Sequence, residues 1–208
     1  MEKIPTVFER VYKNHNVVDI TDRFTPGCEE PFLYGDATVK YDGSCCAIID
    51  GQFYKRYDAK KGKKPPEGSI PCQPLPDSIT GHWPHWVKVD EGNPADKWFV
   101  EALRNSTQAP EEWSGITLVH VIDYGTYEAV GPHFQGNPYN LPDDILMPHG
   151  SKILDDVPRD FEGIREYLRT FPEEGIVFWY NGKPACKIKR VDFGYTWPLR
   201  EWDINNKE

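Results

Sequence analysis

What this 208-residue chain lacks narrows its function before any motif does. It has no basic excess: 24 Lys and Arg stand against 33 Asp and Glu, a formal net charge of −9, whereas proteins that coat nucleic acid through bulk electrostatics carry the opposite balance. Any contact with a polyanion must therefore be local. It has no cysteine framework. The five cysteines, Cys28, Cys45, Cys46, Cys72 and Cys186, are odd in number and contain no Cys-X-X-Cys pair, so neither a disulfide scaffold nor a zinc site is expected, and a reducing cytoplasm is the expected compartment. It has no apolar run near the ~20 residues that a membrane span requires. Met1-Glu2-Lys3-Ile4-Pro5 does not begin a signal peptide, and no repeat recurs at solenoid or propeller periods. A single domain over residues 1–208 is expected, since the length supports one sizeable core but not two full domains.

Among the residues present, Lys40-Tyr41-Asp42-Gly43 is the stretch around which the others make chemical sense. A lysine attacks phosphorus only as the neutral amine, so a site that uses one must lower a pKa of about 10.4 by desolvation or by neighbouring cations. Asp42 is placed to orient such an amine, and Gly43 permits a sharp turn after it. The bland reading is a surface lysine before a tight turn. After it, Ser44 to Ile49 and Gln52 to Tyr57 are apolar, aromatic-rich runs separated by Asp50-Gly51, a strong two-residue hairpin signal. That register sets Cys45 opposite Arg56, which returns Arg56 to the end of the hairpin where Lys40 enters.

Further along, residues 60 to 94 are rich in Pro, Gly and Lys, and basic residues cluster at Lys55 to Lys64 and again at Lys183 to Arg190. Gly81-His82-Trp83-Pro84-His85-Trp86 lacks a carboxylate or cysteine at ligand spacing, which favours packing over metal binding. Asn93-Pro94 offers an N-cap and a first-turn proline before Trp98, Phe99, Ala102 and Leu103 on one helical face. A second helix is predicted from about Asp160 to Phe171, with Phe161, Ile164, Leu168 and Phe171 facing the core. Short strands are predicted at Val17 to Ile20, at Ile116 to Ile122 and at Thr126 to Val130, the last carrying Glu128.

The final predicted unit is a hairpin, Gly175 to Tyr180 and Lys183 to Lys189, turned by Asn181-Gly182. Counting outward from a two-residue turn sets Ile176 opposite Lys187 and Glu174 opposite Lys189. Alternation then puts Glu174, Lys187 and Lys189 on one face, either as a salt-bridged solvent face or as a site for a metal-bound polyphosphate.

Together these segments resemble the covalent nucleotidyltransferases, the superfamily of RNA ligases, DNA ligases and capping enzymes, whose motifs occur here in the same order. Lys40-Tyr41-Asp42-Gly43 is similar to the motif that carries the nucleotidylated lysine. Arg56 matches the basic residue that contacts phosphate, and Tyr127-Glu128 resembles the motif whose glutamate holds the ribose. Glu174-Gly175-Ile176-Val177 is similar to the motif whose glutamate serves the metal, and Lys187-Ile188-Lys189 to the one whose lysines hold phosphates. Closer still, Lys40 to Cys46, Gly136-Asn137-Pro138-Tyr139, Pro148-His149-Gly150 and Glu174 to Val177 resemble the small stand-alone 5′-to-3′ RNA ligases of animals.

The resemblance implies an α+β nucleotidyltransferase domain, antiparallel sheets flanked by helices; departing from DNA ligases and capping enzymes, no OB-fold domain is expected after the last motif, since the eleven residues from Pro198 to Glu208 cannot make one. It implies a monomeric, ATP- and magnesium-dependent enzyme that joins RNA 5′-phosphate and 3′-hydroxyl ends through lysyl-AMP. Lys40 is then the nucleophile, Arg56, Glu128, Lys187 and Lys189 bind nucleotide, and Glu174 places the metal. The aromatic that stacks on adenine is open among Phe134, Tyr139 and His149. A DNA-joining or guanylyl-transferring relative is an alternative within the enzyme class, and a non-catalytic nucleotide- or RNA-binding module lies outside it.

Overall fold

A computed structural model describes residues 1–14, 16–78, 80–108, 112–113, 116–117 and 125–199. In chain order its strands are β1 (Phe8–Lys13), β2 (Asn16–Phe24), β3 (Asp36–Lys40), β4 (Ser44–Ile49), β5 (Gln52–Ala59), β6 (Ile70–Pro71), β7 (Trp83–Lys88), β8 (Glu112–Trp113), β9 (Ile116–Thr117), β10 (Gly125–Val130), β11 (Ile145–Pro148), β12 (Gly175–Tyr180) and β13 (Lys183–Lys189). The helices are α1 (Glu29–Tyr34), α2 (Lys97–Gln108) and α3 (Phe161–Thr170). The class is α+β with antiparallel sheets, and of the strand predicted over 116–122 only β9 lies within the described residues.

The chain folds into two compact units, one of Met1–Lys3 with Asp42–His149, the other of Ile4–Tyr41 with the chain from Gly150 on. The first is built on a six-stranded sheet in the order β11-β10-β4-β5-β7-β6. Asp50 and Gly51 turn β4 into β5 with φ of 49° and 70°, the left-handed pair that a two-residue hairpin demands. The predicted register follows, with Ile49 opposite Gln52 and Cys46 opposite Lys55. Gly81 to Trp86 runs into β7, which lies between β5 and β6 and buries His85 and Trp86, in keeping with the packing role expected of them. Helix α2 starts where predicted: the Asn93 side chain accepts the Ala95 N–H at 3.0 Å, and Pro94 opens a 3-10 turn. It packs Trp98, Phe99, Ala102 and Leu103 on Cys46, Ile48, Tyr127, Ala129, Phe134 and Leu146.

The second unit is organised by a three-stranded antiparallel sheet in the order β13-β12-β3. Alternation divides its side chains sharply. Ala37, Val39, Ile176, Phe178, Cys186 and Ile188 are all buried, so one face is core. An aromatic network closes that core, with Phe178 edge-on to Phe32 at 5.1 Å and Phe8 meeting Phe24, Phe32 and Phe161 at 5.1–5.4 Å. Such pairs contribute about 0.5–1.5 kcal/mol each beyond area burial. Helix α3 is capped by Asp160, whose carboxylate accepts the Gly163 N–H at 2.8 Å, and buries Ile164 and Leu168 as its periodicity requires. Its last carbonyls are gathered by the buried Arg190 guanidinium, which donates to Leu168 O, to Arg169 O at 2.9 Å and to Phe171 O at 2.9 Å.

Candidate active site

The face of the three-stranded sheet opposite the core carries the charged residues. Lys40 lies opposite Gly175, and Gly175 opposite Lys189; one step along, Thr38, Val177 and Lys187 form the next row. This differs by one residue from the predicted pairing of Glu174 with Lys189 and of Ile176 with Lys187. The Asn181-Gly182 turn does form, with Tyr180 opposite Lys183, but the register then slips between Phe178 and Trp179, where β13 has one extra residue. A bulge of that kind cannot be read from a turn dipeptide. Lys187 and Lys189 still share a face, and Glu174 reaches them because it precedes the strand and is released from its alternation.

Glu174 is the hub of the cluster. Its carboxylate pairs with the Lys40 amine through Oε2 and with Lys189 Nζ through Oε1 at 3.3 Å. Its side chain is 8% exposed, against 22% for Lys40 and 26% for Lys189, so a nearly buried anion holds two part-buried cations. Lys40 Nζ also donates to the Tyr41 carbonyl at 3.3 Å. At part-buried Lys187, burial, followed by the charges of Lys40, Lys189 and Arg10, pushes the amine down to about 8, with Glu174 acting the other way. Lys187 is thus a cation held at a cost on the same sheet face as Lys40.

Two residues whose positioning role is not legible in the sequence fix this geometry. The Asp192 carboxylate accepts the Lys189 N–H at 2.8 Å and the Arg10 Nε–H at 3.1 Å, while the Arg190 N–H donates to Glu174 O at 3.0 Å. Together they pin the end of β13 to the start of β12. Gly175 is required between Lys40 and Lys189, since a Cβ there would meet the Ile188 carbonyl and stand 2.8 Å from Lys189 Cα.

A magnesium ion binds through one or two carboxylates alongside phosphate oxygens and keeps several waters; of these Glu174 would supply one carboxylate. Glu173 next door is a half-neutralised carboxylate: its Oε1 pairs with Lys152 Nζ at 3.3 Å, its Oε2 is buried with no hydrogen-bond partner among the described residues, and burial raises its pKa.

The other predicted site residues lie in the first unit. Glu128 on β10 is paired with Cys45 on β4, and His149 follows β11 with its N–H on Thr126 O at 3.0 Å. His149 Nε2 lies 2.8 Å from Glu128 Oε2, and its Nδ1 lies 3.0 Å from Thr126 Oγ1. Cys45 joins them, its thiol pushed up to about 12 by burial and then by the Glu128 carboxylate. Arg56 on β5 is held by Asp58, whose Oδ1 accepts its Nε–H at 2.8 Å. Of the aromatics, Phe134 is buried edge-on against Phe99 at 5.2 Å, and Tyr139 Oη accepts the Asp42 N–H at 2.6 Å. Gly43 does not serve a left-handed turn. It is needed because a Cβ would strike the Ala129 carbonyl and approach Val130 Cγ1 at 2.8 Å.

No curated protein matches the chain. A family model described as RNA ligase 1 matches residues 68–208. That span takes in Glu128, His149, Glu174, Lys187 and Lys189 and begins after Lys40 and Arg56, so the likeness is carried by residues other than the candidate nucleophile. Since it covers well over half of the sequence, the chain belongs to the RNA ligase 1 family.

Proposed function

We propose that this protein is an ATP-dependent RNA ligase that works through a lysyl-AMP intermediate on Lys40. The observation that carries the reading is the gathering of Lys40, Lys187 and Lys189 on one sheet face around Glu174, in a member of an RNA ligase family. Three displacements at phosphorus account for it. Lys40 Nζ forms a bond to the α-phosphorus as the bond to pyrophosphate breaks; an RNA 5′-phosphate oxygen then takes the adenylyl group from Lys40; an RNA 3′-hydroxyl finally attacks that phosphate and AMP leaves.

Each residue has a role that its surroundings support. Glu174, fixed by two lysines, holds the Lys40 side chain at one place before nucleotide arrives, which removes part of the ordering cost from the attack. Lys187 and Lys189 are cations standing in a partly desolvated place, where they stabilise charge that builds on phosphoryl oxygens more strongly than they would in water. Bound at Glu174, magnesium would add further charge neutralisation at those oxygens. Glu128 and His149 are assigned to the nucleoside and Arg56 to a phosphate.

The test is intact mass after incubation with ATP and magnesium, without RNA. A gain of one AMP is expected for the wild type and none for Lys40→Ala. A Lys40→Ala protein that still acquires AMP would overturn the assignment of the nucleophile. Labelling by GTP in place of ATP would turn the reading toward a guanylyl transferase.

A further inference from the structure

Cys45, Glu128 and His149 present a thiol sulfur, a carboxylate oxygen and an imidazole nitrogen that all lie within 4.8 Å of one another. We propose that these three residues form a binding site for a zinc-type divalent cation, distinct in its chemistry from the magnesium position assigned to Glu174. The donor types decide the metal class. Magnesium takes oxygen ligands almost exclusively, whereas thiolate with imidazole and one carboxylate suits zinc and cobalt(II). Three protein donors also leave one tetrahedral position open, as in zinc sites that take an exchangeable ligand.

The scaffold holds the donors as a metal site requires. Cys45 and Glu128 are direct cross-strand partners on β4 and β10, so their side chains leave the same face of one sheet. His149 is tied to the neighbouring residue of β10 twice, through its N–H on Thr126 O and through Nδ1 at Thr126 Oγ1. The second contact orients the ring so that Nε2 points at the Glu128 carboxylate, the arrangement in which a ligating imidazole is usually fixed by its other nitrogen. Around a tetrahedral zinc, donors at about 2.0–2.3 Å from the ion stand roughly 3.5 Å apart. The observed spread of up to 4.8 Å therefore needs side-chain adjustment of about 1 Å and no movement of strands. Glu128 and His149 are 13% and 14% exposed, shielded enough to strengthen binding yet open to solvent.

The cation's effect on catalysis rests on the assignment of Glu128 and His149 to the nucleoside: if that holds, zinc and ATP compete. The test uses the full-length protein titrated with cobalt(II). One equivalent should give a thiolate-to-cobalt charge-transfer band together with tetrahedral visible bands, displaced by zinc and untouched by millimolar-range magnesium. Cys45→Ser should abolish the charge-transfer band, Cys72→Ser should keep it, and His149→Gln and Glu128→Gln should each weaken cobalt binding at least tenfold, with circular dichroism confirming the fold. If Cys45→Ser fails to fold, the two other variants decide. No band in the wild type, or a band that survives Cys45→Ser, overturns the site. Self-adenylation separates the two readings. Zinc inhibition relieved by excess ATP supports both, while a Cys45-dependent band without inhibition upholds the metal site and removes Glu128 and His149 from the nucleotide.

Discussion

Replacing Lys187 by methionine should stabilise the protein while impairing its chemistry. The Lys187 amine falls from its usual 10.5 to about 8, chiefly through burial and then through Lys40, Lys189 and Arg10. A shift of that size corresponds to about 3 kcal/mol of unfavourable free energy in holding the cation in the folded state. The sign follows from proton binding: the folded state binds this proton less tightly than the unfolded state. The cost is therefore full below about pH 8, fades as pH rises toward 10.5 and is absent above it. Methionine keeps much of the buried stem without the charge. Urea unfolding near pH 7 should thus show Lys187→Met more stable than the wild type, by an amount that approaches about 3 kcal/mol where packing is kept. Near pH 9.5 the gap should shrink by about 2 kcal/mol, because the wild type gains roughly 1.4 kcal/mol per pH unit in that window. Comparing the two proteins at each pH cancels most of the other groups that titrate there. Self-adenylation should drop in the variant, and ATP should raise the wild type's midpoint more than the variant's. A Lys187→Met protein less stable than the wild type near pH 7, with a gap that does not move by pH 9.5, would refute this reasoning.

Gly43→Ala should destabilise by about 1–3 kcal/mol, since its methyl meets the Ala129 carbonyl of a neighbouring strand rather than open space; an unchanged thermal midpoint would contradict the clash. Lys60, Lys61, Lys63 and Lys64 are exposed around a turn closed by the Lys63 N–H on Lys60 O at 2.9 Å. Neutralising all four should weaken RNA joining and flatten its log-log salt dependence by about 0.7 per lost phosphate contact, while self-adenylation of Lys40 persists. Joining that is unchanged across a range of salt would remove that turn from RNA binding.

What could be read from the sequence was what depends on neighbours along the chain. Asn93-Pro94 and Asp160 start helices because a cap is a contact over two or three residues. Asp50-Gly51 and Asn181-Gly182 set hairpin turns for the same reason. The pairing beyond the second turn was off by one, because the bulge after Phe178 depends on how β13 packs across the sheet. Strand alternation places Glu174, Lys187 and Lys189 together in the sequence reading, yet in the fold Glu174 arrives beside the lysines by leaving that alternation. The positioning role of Arg190 and Asp192 is not legible in the sequence, since an arginine closing a basic run and an aspartate beyond it are ordinary until the carbonyls of Leu168, Arg169 and Phe171 and the Lys189 N–H are seen converging on them. Cys45, Glu128 and His149 are not legible as a cluster for a related reason: metal-ligand spacing is a local pattern, whereas these donors come from β4, β10 and the residue after β11, brought side by side only by strand pairing.

Charge makes the same point at larger scale. The whole chain is acidic, so long-range attraction cannot bring a polyanion to it. Around Glu174 the charges named are mostly positive: Lys40, Lys187, Lys189 and Arg10 gather about Glu174 and Asp192. Physiological salt screens exposed charges beyond about 8 Å, so a ligand phosphate close to this face responds mainly to the local surplus and little to the distant carboxylates. The Lys187 amine, lowered first by burial and then by that surplus, is a cation kept where the protein alone does not neutralise it. Phosphate oxygens would do so, and a site that is electrostatically incomplete without its ligand gains most when the ligand's charge is highest. On this reasoning a triphosphate should stabilise the fold more than AMP does, and Lys187→Met should erase most of the difference. Equal stabilisation of the wild type by saturating ATP and AMP would separate Lys187 from the phosphates.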